Sequence, residues 1–176
     1  MRLHRLLRQM LFAVAVSGVA IGGALAQPAT EHDLKAAFIY NFVQFTQWPE
    51  DALKGGTINL CVSKGTILYM ALEPIAGKTA HGKIVALTPI QNEAATGCHV
   101  LVAESDDRNK LAQLRKLMAD GPVLTITDDP ELMREGFMIG MLVESRRITF
   151  IVDNTRATGA RLTISSRLLR LARSVQ

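Results

Sequence analysis

Two adjacent serines, Ser165 and Ser166, lead into an apolar run punctuated by arginines near the end of the chain. A serine acts as a nucleophile only where a base takes its proton and a third group orients that base. Beyond the first 26 residues, the histidines available for that task are His32, His81 and His99. None lies in a local esterase or protease signature, and no Gly-x-Ser-x-Gly elbow occurs. Serine is also a strong helix N-cap, and a helical apolar pattern follows, so Ser165-Ser166 reads first as a cap. Arg161, Arg167, Arg170 and Arg173 then make a solvated face opposite Leu168, Leu169, Leu171 and Ala172.

Other chemistries fare no better. Cys98 and His99 are adjacent, so in a strand they face opposite sides and do not readily share one ion. No Cys-x-x-Cys, His-x-His or His-Glu-x-x-His spacing occurs. The segment INLCV followed by Ser63-Lys64-Gly65-Thr66 resembles the start of a phosphate-binding turn. No dinucleotide fingerprint or P-loop accompanies it, so Ser63 and Thr66 read as caps. Asp106-Asp107 and Asp128-Asp129 each precede an expected helix, where acids cap the end and suit its dipole. No catalytic residue, metal or cofactor is therefore expected, and action by binding is.

The elements that hold these residues alternate. Thr30-Glu31-His32-Asp33 reads as a capping box, with Leu34, Ala37, Phe38, Phe42 and Phe45 on one helical face behind it. Pro49 ends that helix by Trp48. Strands are expected over 58–62, 83–87, 98–103 and 123–127, the third being central because it is nearly all apolar. Helices are expected over 67–72 and 109–118, after Asp128-Asp129-Pro130, and over 154–160. Met138 to Val143 and Arg147 to Val152 form a hairpin, and Leu162 to Arg173 a final helical run. The fold class is α/β: a layered sandwich with a mixed, mostly parallel central sheet flanked by helices, plus a C-terminal β-hairpin.

The ends and the charge set the compartment. Arg2, His4, Arg5 and Arg8 precede an apolar stretch from Leu11 to Leu25, and Ala24-Leu25-Ala26 offers a cleavage site. Residues 1–26 are thus expected to be a cleaved signal peptide, and 27–176 a single exported domain. Without Arg2, Arg5 and Arg8, the balance is 17 basic to 16 acidic residues, so the net charge falls from +4 to +1. That removes the hint of nucleic-acid binding. An oxidising compartment and an even cysteine count favour a disulfide between Cys61 and Cys98; two buried free thiols are the alternative.

Separated segments then carry a resemblance. LKAAFIYNFVQFTQWP (Leu34 to Pro49), GFMIGMLVESRRITFIVDNTRATGARLTISSRLLRLA (Gly136 to Ala172) and the Cys61 and Cys98 between them resemble the YfiR family of periplasmic proteins. The resemblance implies an α/β sandwich without nucleotide binding, and a homodimer. It further implies a negative regulator that engages the periplasmic sensor domain of a membrane-anchored diguanylate cyclase. An outer-membrane, peptidoglycan-binding lipoprotein would sequester it, and the output would be cyclic di-GMP and biofilm. The chain has one cysteine pair where the protein that gives the family its name carries two, and no cysteine near Arg146 to Asp153 to form the other.

The expected function is therefore a periplasmic regulator acting by protein contact. Arg146 and Arg147, at the hairpin turn, are the candidate partner-binding residues. A small-ligand sensory module is the alternative, with a pocket near Phe38, Phe42 and Trp48 or at the Ser63–Thr66 turn. A hydrolase using Ser165 or Ser166 is the third.

Overall fold

The computed structural model describes residues 29–90, 97–119, 121–144 and 147–176; the expected leader, 1–26, lies outside them. The first helix, α1 (Glu31–Phe45), opens on the expected capping box. Asp33 N–H donates to Thr30 Oγ1 at 3.2 Å, and Thr30 N–H to Asp33 Oδ2 at 2.9 Å. The face it buries carries Ala36, Ile39, Phe42 and Val43, with Phe38 and Phe45 half-buried. Leu34 and Ala37, expected on that face, are exposed. Apolar residues surround most of α1, so their spacing leaves its rotational phase open.

After α1 come β1 (Thr46–Gln47), β2 (Thr57–Ser63), α2 (Ile67–Leu72), β3 (Thr79–Ala80) and β4 (Lys83–Ile90). Then follow β5 (Val100–Ala103), a 3-10 turn (Ser105–Lys110), α3 (Leu111–Ala119), β6 (Leu124–Thr127) and α4 (Pro130–Arg134). The chain closes through β7 (Ile139–Glu144), β8 (Arg147–Val152), α5 (Asn154–Gly159), β9 (Thr163–Ile164), α6 (Ser166–Leu169) and β10 (Ser174–Val175). Among the described residues, eight strands form one sheet in the order β10-β8-β7-β6-β5-β2-β4-β3. Only β3–β4 and the expected hairpin, β7–β8, pair antiparallel within it. The fold is the mostly parallel α/β sandwich read from the sequence, with the hairpin built into the main sheet.

The expected final helix, Leu162 to Arg173, does not form. Instead β9 pairs with β1, Thr46 against Ile164, and Ser165 caps the short α6. The chain then returns as β10 beside β8. Backbone partners on two separate strands outweigh the local helical pattern there, because each buried strand group needs a hydrogen bond.

Every residue of β5 and β6 is buried, as a strand covered on both faces requires. Val100, Val102, Leu124 and Ile126 join the core under α1 and α2, whereas Leu101 and Ala103 join the one under α3 and α4. Cys61 and Cys98 lie in the second core and are bonded, with Cα atoms 5.8 Å apart.

The disulfide closes a loop with a sequence separation of 37. The Cys61→Ser, Cys98→Ser double variant should lose about 3–4 kcal/mol of stability. Urea denaturation under oxidising conditions reads this directly. Reductant should shift the parent by a similar amount and leave the variant unmoved.

Candidate functional site

The parallel strands β2, β5 and β6 end together at Ser63, Ala103 and Thr127. Sheet order reverses between β2 and β5, and α/β sheets place their ligand crevices outside the carboxyl ends at such a point. Three turns leave these ends, and their polar side chains form a connected network.

Ser63 Oγ donates to Asp107 Oδ1 at 2.6 Å, and Lys110 Nζ donates to both, at 3.0 and 2.9 Å. Ser63 and Asp107 are buried, so this triangle braces β2 against the turn after β5. Thr66 caps α2 by accepting from Tyr69 N–H, as its position suggested. Asp129 caps α4 through the N–H groups of Glu131 and Leu132 and takes the Arg108 guanidinium on its other oxygen. Burial pushes the Asp129 carboxyl up, but Arg108 and the two N–H groups outweigh it and hold the pKa below the usual value.

Lys35 enters the same edge from α1. Its ammonium lies 2.7 Å from Asp128 Oδ2 and 2.8 Å from Glu31 Oε1, and its side chain is only 6% exposed. Burial disfavours the charge, yet hydrogen bonds to the two carboxylates hold its pKa above the ordinary lysine value. Asp128 Oδ1 is buried without a hydrogen-bond partner. Burial, then the charge of Asp128, push the half-buried Glu104 carboxyl up. Chemically this edge is a set of fixed ion pairs that tie α1 to the turns after β5 and β6.

At the opposite end of β5, His99 is locked between backbones. Asn59 N–H points at Nδ1 at 2.9 Å, which places the ring proton on Nε2, 3.2 Å from the Ala52 carbonyl. Burial lowers its pKa; the Ala52 bond opposes this and the charge of Lys83 adds to it.

The expected binding places resolve differently. Phe42 is fully buried, Phe38 packs on Phe42 and Phe150, and Trp48 packs edge-on against His81. Phe42 is a core residue, and Phe38 and Trp48 are partly buried against that core. The histidine rings bond elsewhere than Ser165 and Ser166: His81 to the Val43 carbonyl, His99 to Asn59 and Ala52. Ser165 Oγ accepts from Arg167 N–H, as a cap does. Arg147 is exposed at the start of β8, opposite Glu144, which also pairs with Arg173. Arg146 lies outside the described residues. Among the described residues, no three His, Cys, Asp or Glu side chains converge to hold a metal.

Cavities open elsewhere among the described residues. One, about 320 Å³, lies between α4, α5 and the β7–β8 hairpin. Another, about 290 Å³, lies between α1 and the segment from Ala71 to Lys78. Spacing gave no sign of either, since each is lined from several elements distant in sequence.

A family model described as YfiR/HmsC-like matches residues 32–173. The chain belongs to the YfiR/HmsC-like family. This is a family of regulatory domains rather than of enzymes, which supports a regulatory role in that general sense. Among solved structures, a conserved domain protein from Vibrio cholerae O1 biovar El Tor strain N16961 is similar at a TM-score of 0.57 and 10% identity. The match covers 85% of this chain but 62% of that one, and at such identity it speaks to the fold alone. No curated protein sequence matches the chain. No helix among the described residues is long and apolar enough to cross a membrane.

Removing Lys35 should be costly, because it leaves the largely buried carboxylate of Asp128, 18% exposed, without its cation. Lys35→Ala should lose about 3–5 kcal/mol, whereas Glu31→Gln, at the exposed end of the pair, should lose less than about 1 kcal/mol. Paired urea titrations distinguish the two.

His99 gives a pH dependence of defined sign. Its folded pKa lies below the unfolded value of about 6.5. The unfolded chain therefore binds more protons just below that pH, and stability rises with pH there. The contribution is full above about 6.5 and is lost as pH falls through the folded pKa. His99→Asn keeps an acceptor for Asn59 N–H without titrating, so its urea midpoint should depend less on pH over that window. An unchanged slope in the variant would assign the acid sensitivity elsewhere.

Proposed function

We propose that the protein is a periplasmic negative regulator that binds the sensor domain of a membrane-anchored diguanylate cyclase and represses cyclic di-GMP synthesis. The observation that carries this reading is the family match, which spans the whole described fold from α1 to the segment before β10. The Cys61–Cys98 bridge supports an oxidising compartment. In the same reading an outer-membrane, peptidoglycan-binding lipoprotein relieves the inhibition, and the regulator acts as a homodimer.

The physical route is a population shift. A regulator that binds the low-output state of the cyclase more tightly moves the equilibrium toward that state, by no more than the difference in affinity. Arg147 is exposed on the hairpin, with Arg146 before it in the chain, and we assign them to an acidic surface of the partner. Such charges act chiefly on encounter rate and specificity, so the contact should weaken with salt.

Binding of the purified chain to the cyclase's periplasmic domain tests this. Arg147→Glu should weaken it by about tenfold, equivalent to about 1.4 kcal/mol, and raise cyclic di-GMP in cells. Circular dichroism should show the variant folded. Wild-type binding with an unaltered affinity in Arg147→Glu removes the hairpin from the interface; no binding by the parent removes the partner.

A further inference from the structure

We propose that the cavity between α4, α5 and the β7–β8 hairpin is a binding site for a small amphipathic carboxylate. At about 320 Å³ it falls within the range of small-molecule pockets. This site stands on its own lining and does not rest on the cyclase reading.

Its floor is apolar. Gly140 has no side chain, and Met133 and Ile151 close down over its backbone. A Cβ there would lie 2.9 Å from Met133 Cγ and 3.1 Å from Ile151 Cγ1. Leu142, two residues along β7 and so on the same strand face, extends that floor.

The walls are charged, and the charge is unequally used. Three carboxylates reach the lining, and each already has a cation: Asp128 has Lys35, Asp129 has Arg108, Asp153 has Arg156. Arg134 is different. Among the described residues its one ion pair is a 3.7 Å approach to Glu131, a carboxylate also 3.4 Å from Arg108, and its side chain is 71% exposed. Arg156 gives its Nε–H to Asp153 at 2.8 Å, while its terminal nitrogen Nη1 lies beside Gly136. A guanidinium carries five N–H donors, so both arginines keep donors for another acceptor. Planar bidentate recognition of a carboxylate is what such donors do best. An apolar floor beneath under-used guanidiniums selects an anion with an apolar body, and disfavours a cation of the same shape.

Octanoate is the probe, with octylamine as the control of opposite charge. The full chain, labelled with ¹⁵N, is titrated with each while amide shifts are followed. Octanoate should give saturable shifts centred on α4, β7 and β8, and octylamine should give none that saturate there. Arg134→Ala should weaken octanoate by about tenfold, and Arg134→Lys by less, because a point charge remains. The same spectra report whether each variant is folded. No saturable shift with octanoate, an equal response to octylamine, or an unaltered affinity in folded Arg134→Ala would each overturn the proposal.

Discussion

Between β2 and β5 the sheet reverses its order, and the two strands share a short ladder, Leu60 with Val100 and Cys61 with Leu101. Both halves of the molecule meet there. To one side lie β4 and β3; to the other lie β6, β7, β8 and β10. A ladder this short leaves little backbone hydrogen bonding to hold the join, and the chain supplements it with side chains. The disulfide ties Cys61 to Cys98, the His99 ring accepts from Asn59 N–H, and the Asn59 amide donates to the Gly97 carbonyl at 2.9 Å. All three attach the entry of β5 to β2. A lost bond at this join acts on how two half-sheets sit together, whereas a lost bond in the outer hairpin acts locally.

The join also explains where the polar groups went. Strands β5 and β6 are buried on both faces, so their middles carry no charge. Charged side chains collect where the strands stop. The carboxylates of Asp107, Asp128 and Asp129 are largely withdrawn from water, so each pairs with a cation. Lys35 is the member that comes from α1, and its bond to Asp128 spans 93 positions in sequence. The triangle of Ser63, Asp107 and Lys110 does the same for β2 and the turn after β5. Serine and aspartate at strand ends thus serve here as bracing, which is why their presence in the sequence signalled no reaction.

How much was legible follows from the range of each interaction. The α1 cap, the strand and helix over Thr57–Leu72, the hairpin and the Asp129 cap all rest on residues within a few positions of one another, and each was readable. The phase of α1 was not, because Leu34, Ala37 and Phe38 are as apolar as Ile39 and Val43, and only the sheet decides which are covered. The final segment was misread for a related reason. Leu162 to Arg173 has helical spacing, yet β1 and β8 offer it backbone partners more than a hundred and about twenty positions away respectively. Sheet order and the Lys35–Asp128 pair were likewise out of reach, since nothing near Lys35 except Glu31, four residues before it, marks it as an ion-pair residue.

Asp128 joins two regions that would otherwise be separate. Its carboxylate holds Lys35 of α1, and the same residue lines the cavity beside α4 and the hairpin. One of its oxygens is buried without a partner, so the pair with Lys35 uses only half of its accepting capacity. A group placed in the cavity therefore meets a loop that is already bonded to the first helix, with an incompletely satisfied acceptor at the junction.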